Sequence, residues 1–324
     1  MRTLLVVSAL AAQLAHATPQ EIAAHINDPK DEIQLAAIAD ELNLFLADPI
    51  VARKRVGLVI EVRNSISAER IFASGPQAIN GKPVPPEVLA ALRTAFRDDN
   101  PRVGLEAMYA FGVLAVQPSG AVRQALLGAS APELVAFLGS PDVAMRTAAI
   151  RVIGRVFARR TGDAPNDPMV GDALIGALND PDANIRIAAM DALGAMREAR
   201  AVQGLAQLFD YRGRSHEGDA ALDALAHIAH PSSAPLLSTA LAGKSTAQRV
   251  IAIEGLARIG DASALPAIQA AATSDRNDAV ALAAAFASAR LASGPTTAIS
   301  DALGRPKLHD QAQAYLAELS APSR

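Results

Sequence analysis

The chain has neither cysteine nor tryptophan, and aromatic residues make up only 3% of its 324 residues. Without cysteine there is no disulfide framework, no thiol nucleophile and no site for lipid attachment behind a leader segment. The hydrophobic residues, 51% of the total, are mainly Ala, Leu, Ile and Val. These side chains fill thin layers between helices better than one large round core. The composition therefore favours many small helix–helix interfaces.

An excess of basic charge is also missing, since the formal net charge is −3. Proteins that bind nucleic acid usually carry a basic patch or stripe, so no nucleic-acid partner is predicted. After the first seventeen residues, the sequence contains no uninterrupted run of about 18 apolar residues, and it predicts no membrane span.

Familiar catalytic patterns are absent as well. There is no Gly-x-Ser-x-Gly elbow and no phosphate-binding glycine-rich loop. The sequence therefore nominates no catalytic residue and predicts no cofactor. This absence does not exclude an enzyme, but it favours a non-catalytic role.

The first seventeen residues predict a secretory leader. Met1-Arg2 gives a short positive start, an apolar stretch runs from Leu4 to Leu14, and Ala15-His16-Ala17 has the small-x-small pattern of a cleavage site. We therefore expect a mature chain that begins at Thr18 and a periplasmic or secreted location in a bacterium.

One pattern of apolar residues recurs through the chain at intervals of 31 to 42 residues. Its equivalent positions are Gly104, Arg146, Arg186, Gly218, Arg249 and, in a degenerate sixth copy, Val280. Each copy has apolar residues at helical spacing, then a short turn and a second apolar helix. Such a period is typical of stacked helical hairpins, because no hairpin can bury its apolar stripe alone.

The repeat opens with a helix start signal. Asp180 is predicted to cap a helix whose first residue is Pro181, and Asn100-Pro101 gives the same signal earlier. The motif Asp-Pro-Asp-x-x-Ile-Arg-x-x-Ala-x-x-Ala-Leu-Gly at 180–194, with a second copy at 249–265, resembles the HEAT repeat, particularly the short HEAT-like form of phycobilisome lyases. The resemblance is good over 100–292 and weak over 20–73. It implies an all-α, right-handed α-solenoid and, as in most such repeat proteins, a protein-binding scaffold.

Two sets of recurring residues are assigned to structure. Arg146, Arg186 and Arg249 occupy one position of the repeat, and we expect them to hydrogen-bond carboxylates or carbonyls of the adjacent unit. Gly194 and Gly260 lie late in or just after their helices, where close packing or a left-handed terminus requires a residue without Cβ.

Polar side chains interrupt the apolar helices at two further positions of the repeat. We expect them to form a row along the inner helices, on the concave face, where they meet solvent or a partner. The row consists of Tyr109, Arg151, Arg155, Asp191, Asp223, Glu254 and Arg258. Because its charge changes from basic to acidic along the chain, a partner with a complementary charge gradient would fit it.

Three irregular segments, 74–86, 159–168 and 210–216, lengthen the early units. Inserted loops of repeat proteins tend to emerge on one face and often bind. The third segment carries Tyr211, Arg212 and Arg214, and tyrosine and arginine are favoured at interface hot spots. These three residues therefore join the predicted partner-binding set.

Four residues predict a metal site as the alternative. Asp219, Asp223, His227 and His230 are spaced to lie along one helical face, and carboxylate and neutral imidazole groups at that spacing could hold Zn²⁺. Against this, Asp223 and His227 occupy the positions that Glu254 and Arg258 fill in the next repeat. A metal-binding protein or metal-dependent enzyme remains the alternative to a scaffold.

The mature chain is predicted to be one continuous solenoid over 18–324. It comprises weak units over 18–73, a loop over 74–86, clear repeats over 87–292 and a capping helix over 307–319. The expected function is that of an exported, non-catalytic scaffold or adaptor. Its expected partner is another protein of the cell envelope, bound through the concave face and the inserted loops.

Overall fold

The computed structural model describes residues 19–46, 53–56, 59–62, 67–73, 83–160, 162–213 and 215–321. The predicted leader, most of the loop at 74–86 and Arg214 therefore lie outside the described residues. The chain divides into two compact units, 1–156 and 157–324. In the described ranges, none of the helices has both the length and the apolar character that crossing a membrane requires.

Unit 1 is built from helical hairpins. Its helices are α1 (Pro19–Ile26), α2 (Asp31–Phe45), α3 (Ala68–Ala73), α4 (Pro86–Ala95), α5 (Pro101–Leu114), α6 (Gly120–Phe137) and α7 (Val143–Val156). Helices α2, α5 and α7 pack side by side and form what we call the inner layer of unit 1. Helices α1, α4 and α6 pair with them from the outer side. Each hairpin therefore buries its apolar stripe against its neighbours, as the repeat pattern predicts.

One segment of unit 1 departs from the hairpin stack. Strands β1 (Arg53–Val56) and β2 (Val59–Val62) pair antiparallel, with Val56 opposite Val59, and the short helix α3 follows and packs on α5. The sequence predicts only weak helical units here. Val, Ile and other β-branched residues lose side-chain freedom in a helix and favour strands, and this stretch is rich in them.

Unit 2 repeats the two-layer arrangement. Its helices are α8 (Pro168–Ala177), α9 (Ala183–Met196), α10 (Val202–Arg212), α11 (His216–Ile228), α12 (Ala234–Leu241), α13 (Thr246–Ile259), α14 (Leu265–Ser274), α15 (Asp278–Ala292), α16 (Thr297–Ala302) and α17 (His309–Ser320). Helices α9, α11, α13 and α15 pack side by side as the inner layer of unit 2, and α8, α10, α12 and α14 pair with them from outside. Helix α17 returns to pack on α15.

The inner helices of unit 2 begin with the same kind of cap. A side-chain oxygen accepts a hydrogen bond from a backbone N–H in the first turn. The capping residues are Asp182, Ser215, Ser245 and Asn277. The predicted cap Asp180 was two residues too early, because its carboxylate instead accepts from the N–H of Asp182 within the turn. In unit 1, Asn100 caps α5 as predicted.

The same helices also end alike. Each is followed by a residue in the left-handed region, with φ between 52° and 86°. These residues are Arg197, Ala229, Gly260 and Ser293. Gly260 thus has the role that the sequence predicts for it. Gly194 serves close packing instead, since a Cβ at that position would lie 3.2 Å from the Cα of Ala224.

The recurring arginines connect neighbouring repeats. Arg186 Nε donates to Glu217 Oε1 at 2.6 Å, which joins α9 to the start of α11. Arg249 Nε donates to Asp275 Oδ2 at 3.0 Å, on the turn after α14. The structural prediction for these two residues is confirmed. Arg146 donates to the carbonyl of Ser140 at 2.8 Å and so braces the turn before its own helix.

Candidate functional site

In unit 1, the residues of the predicted row differ in exposure. Tyr109 on α5 is buried, with its ring centroid 5.2 Å from that of Phe72. Burial raises the pKa of the Tyr109 phenol, and the nearby Arg151 guanidinium opposes this rise. Arg151 on α7 is exposed. The prediction that both side chains face outward is therefore correct for Arg151 and wrong for Tyr109.

The helix α3 explains this burial, because it lies on the inner layer of unit 1. At its start, Glu106 Oε2 accepts a hydrogen bond from the backbone N–H of Ala68 at 2.5 Å. At its end, Arg155 donates to the backbone carbonyl of Phe72 at 2.5 Å. A carboxylate at the N-terminus and a guanidinium at the C-terminus both complement the helix dipole. Burial raises the pKa of Glu106 and lowers that of Arg155 to about 10.

The side chain of Phe72 also fixes α3 on the inner layer. The guanidinium carbon of Arg155 lies 3.6 Å from the centroid of the Phe72 ring, a cation–π contact. On α5, a Cβ at Gly112 would lie 2.7 Å from Phe72 Cε2, so the ring fits only because Gly112 has no side chain. Two of the three row residues in this unit are therefore occupied by the chain's own helix.

A second helix covers part of the row in unit 2. The predicted capping helix is observed as α17, and it contacts both Glu254 and Arg258 of α13. The Tyr315 hydroxyl donates to Glu254, and Arg258 Nε donates to Glu318 Oε2 at 3.2 Å. The Glu254 and Arg258 side chains are only 13% and 9% exposed. They hold α17 in place and do not face solvent, contrary to the sequence-based expectation.

The aromatic ring of Tyr315 anchors α17 further. It stacks on Phe286 of α15, with ring centroids 4.4 Å apart and an interplanar angle of 18°. Burial is the main reason that the pKa of Tyr315 is raised, so its hydroxyl keeps its proton and serves as a donor. Arg290 also approaches Glu318, at 3.5 Å.

The remaining row residues of unit 2, Asp191 and Asp223, are accessible, and so is His227 beside Asp223. Asp191 on α9 is exposed. On α11, the side chains of Asp223 and His227 are 39% and 44% exposed, and His227 Nδ1 lies 3.2 Å from Asp223 Oδ2. The hydrogen bond to Asp223 raises the pKa of His227, although the Arg258 guanidinium opposes the rise.

The alternative metal ligands do not converge. Asp219 Oδ1 accepts a hydrogen bond from Gln248 Nε2 at 2.7 Å, and His230 Nδ1 lies 2.7 Å from Ser232 Oγ. Only Asp223 and His227 contact each other. Across the residues that the structure describes, no group of three or more His, Cys, Asp or Glu side chains is arranged to hold a metal ion.

Tyr211 and Arg212 lie in the last turn of α10, in the outer layer. The Tyr211 side chain is strongly exposed, at 82%. The guanidinium carbon of Arg212 is 5.3 Å from the Tyr211 ring centroid, and its NH1 lies 3.1 Å from Glu217 Oε2. These residues therefore belong to a different layer from the row, and Arg214 lies outside the described residues.

The sequence pattern did not identify the residues that hold α3 and α17 on the inner layers. Glu106 was a usable signal, since it is the one acidic residue of helix α5, whose only other charged residue is Arg102 in the first turn. Tyr315 and Glu318 are three residues apart on a helix that was predicted, so their common face could be derived from helical spacing. Nothing in the local pattern indicates that Phe72 reaches Arg155, 83 residues away.

Two family models match segments of this sequence. A model of HEAT repeats matches residues 131–214, and a model of the PBS lyase HEAT-like repeat matches residues 248–274. These segments carry HEAT and HEAT-like repeats. The HEAT-like match begins one residue before Arg249 and contains Glu254 and Arg258, so the residues beneath α17 belong to a recognisable repeat.

Several solved structures are similar to the chain. The complex of CpcE and CpcF of phycocyanin lyase from Nostoc is 17% identical, with 94% of this chain and 95% of that chain covered and a TM-score of 0.44. One engineered protein is 20% identical, with 98% and 92% covered and a TM-score of 0.48. Another is 17% identical, with 75% and 98% covered and a TM-score of 0.47. No curated protein matches the sequence significantly.

Proposed function

We propose that this chain is a non-catalytic scaffold that binds another protein through its inner helix layers. The observation that carries the proposal is that the inner layer of each unit already holds a helix of its own chain. It does so with charged and aromatic side chains, through Glu106 and Arg155 in unit 1 and through Glu254 and Arg258 in unit 2. A surface with this chemistry is suited to an amphipathic helix from a partner.

The exposed residues of the inner layers supply the place for such a partner. Arg151 in unit 1 and Asp191 in unit 2 are exposed on inner helices, and the Asp223–His227 pair is half-exposed. Charged residues of this kind contribute to partner selection and to the rate of association. The solvent-exposed Tyr211 on the outer layer is a second contact in the same scaffold role.

The scaffold role is tested by capture of partners from an envelope fraction. Arg151→Ala and Asp191→Ala should each be compared with the wild-type chain, since Tyr109 is buried and Glu254 binds α17, so that their removal would disturb the fold. We expect at least one variant to lose captured partner tenfold or more, about 1.4 kcal/mol. Thermal stability should be nearly unchanged, because exposed positions contribute about 0.5 kcal/mol or less.

Glu87→Ala provides the matched control, because Glu87 is an exposed acidic residue on the outer helix α4. Its capture should equal that of the wild-type chain. If both inner-layer variants capture partners as well as this control does, binding does not use the inner layers and the proposal is wrong.

We also propose that the chain is exported to the cell envelope. The support is the leader pattern that ends at Ala15-His16-Ala17. In a Gram-negative host, N-terminal sequencing of the periplasmic or culture fraction should begin at Thr18. Full-length protein that retains Met1 in the cytosolic fraction would contradict export.

A further inference from the structure

The chain's own C-terminal helix shows what the inner layer of unit 2 can recognise. Helix α17 lies on an acid–base pair of α13, in which Arg258 NH1 is 3.4 Å from Glu254 Oε2. The Tyr315 hydroxyl donates to the acid of this pair, and Glu318, one turn later, accepts from the base. The Glu254–Arg258 pair thus binds a hydroxyl donor and a carboxylate that lie three residues apart on one face of α17.

Helix α11 carries a second pair of the same kind. Asp223 and His227 occupy the repeat positions of Glu254 and Arg258, with the same i,i+4 spacing, on the neighbouring inner helix. The two pairs differ in their cover. The side chains on α11 are 39% and 44% exposed, against 13% and 9% for the pair beneath α17. The α11 pair is therefore an open counterpart of a pair that the chain itself covers with a helix.

The charges at the open pair suit the same type of ligand. The hydrogen bond to Asp223 raises the pKa of His227, which favours the imidazolium as a partner for a carboxylate. Two inner helices flank the ring: on α13, the Arg258 guanidinium lowers the pKa of His227, but less than Asp223 raises it, and on α9, a Cβ at Gly194 would lie 3.3 Å from the Cβ of His227. The Asp223 carboxylate is available to accept from a hydroxyl, as Glu254 does.

The inner layer also has the width for another helix. Packed helices lie about 8–10 Å apart, and a helix with its side chains is about 10–12 Å wide. A helix over α9 and α11 can thus lie beside α17, which covers α13 and α15. Neither α9 nor α11 contains a Phe, Tyr or Trp residue that could take the place of Phe286. A ligand at α11 therefore lacks the aromatic stacking that holds Tyr315, and its binding should be weaker and reversible.

We infer that the Asp223–His227 pair is the docking site for an amphipathic helix of another protein that carries a tyrosine and, three residues later, a glutamate. This inference rests on the proposed scaffold function and specifies the partner that the function requires. The tyrosine hydroxyl donates to Asp223, and the glutamate accepts from His227.

The test uses a peptide with the sequence of His309–Ser320 as the probe and the full chain as the receptor. Because isolated helices of this length are marginal in water, a hydrocarbon staple joins positions 313 and 317, which are exposed on α17. Fluorescence anisotropy should show saturable binding. Asp223→Asn combined with His227→Gln in the receptor should weaken it at least tenfold, and so should Tyr315→Phe combined with Glu318→Gln in the peptide.

The matched receptor control is Asp301→Asn combined with His230→Gln. Both residues are exposed, and the pair undergoes the same chemical changes away from the inner-layer row. Its affinity should equal that of the wild-type chain, and thermal melting should show that both double variants are folded.

Two results would overturn the inference. Binding that ignores the Asp223–His227 substitutions means that the peptide enters the α13 site by displacing α17. Absence of binding at about 1 mM, which corresponds to a free energy of about −4 kcal/mol, means that α11 is no helix site. Neither result refutes the scaffold function, which fails separately if capture of native partners is insensitive to Arg151→Ala and Asp191→Ala.

Discussion

The two units hold a helix of their own chain on the inner layer by different means. In unit 1, the six-residue α3 is held at its backbone ends, by Glu106 at Ala68 and by Arg155 at Phe72. In unit 2, the twelve-residue α17 is held along its side, through Tyr315 and Glu318. Contacts to backbone ends depend on helix geometry, whereas lateral contacts depend on sequence. The unit 2 surface therefore distinguishes one helix from another by polar side-chain contacts, whereas in unit 1 the side-chain contact is the packing of the Phe72 ring on Arg155 and Gly112.

Phe286→Ala should have the largest effect and would show how much of the lateral contact is aromatic. Phe286 is fully buried beneath Tyr315, and removal of a buried phenylalanine lowers the free energy of unfolding by about 3–5 kcal/mol. Urea denaturation measures the loss, and amide hydrogen exchange should show α17 exposed while α3 stays protected. A loss below about 1 kcal/mol would mean that the stack does not hold α17.

Tyr315→Phe should have an intermediate effect, because it keeps the ring but removes the donor to Glu254. A buried carboxylate left with one partner fewer destabilises by about 1–3 kcal/mol. Faster amide exchange confined to α17 and its contacts is the expected signature. Tyr211→Phe is the matched control, since Tyr211 is 82% exposed and the same change there should leave exchange unaltered. Equal effects of the two substitutions would refute the lateral hydrogen bond.

Glu106→Ala should have the smallest effect and tests the end-on contact of unit 1. It leaves the first N–H of α3 without its acceptor, and loss of such a cap lowers stability by about 0.5–2 kcal/mol. Amide exchange at α3 should accelerate, while α17 is unaffected. Glu106→Gln keeps an acceptor oxygen and should retain most of the protection. If α3 exchanges at the wild-type rate in the Ala variant, Glu106 does not hold the helix, and the contacts of Phe72 with Arg155 are sufficient.

The sequence predicted the repeats well because their causes are local. Helical spacing, the Asn100 cap and the recurring arginines all depend on neighbouring residues, and Arg186 reaches Glu217 in the next repeat, as expected for a stack. Which row residues are covered by α3 and α17 could not be derived in this way. Glu254 meets Tyr315 across 61 residues of sequence. A periodic pattern tells which residues are equivalent, but it does not tell which of them a distant segment covers.

The β-hairpin and α3 show the same limit within the weak N-terminal units. Helical periodicity gives no means of locating a helix such as α3, which packs on α5 outside the repeat order. The carboxylate of Glu106 is the exception, because an acidic residue inside an apolar helix requires a partner if it is buried. Residues that break the expected pattern are thus more informative about the inner layer than those that follow it.

The shared left-handed ending of the inner helices has a consequence for how this chain tolerates changes in length. Only one of the four ending residues is glycine, and a left-handed conformation destabilises other residues by about 1–2 kcal/mol. Surrounding packing must therefore impose the turn. Because an α-helix has about 3.6 residues per turn, one extra residue inside a helix rotates the rest of its apolar stripe by about 100°. Insertion or deletion of a whole repeat preserves that alignment. We therefore expect chains built from this repeat to differ in length by whole hairpins.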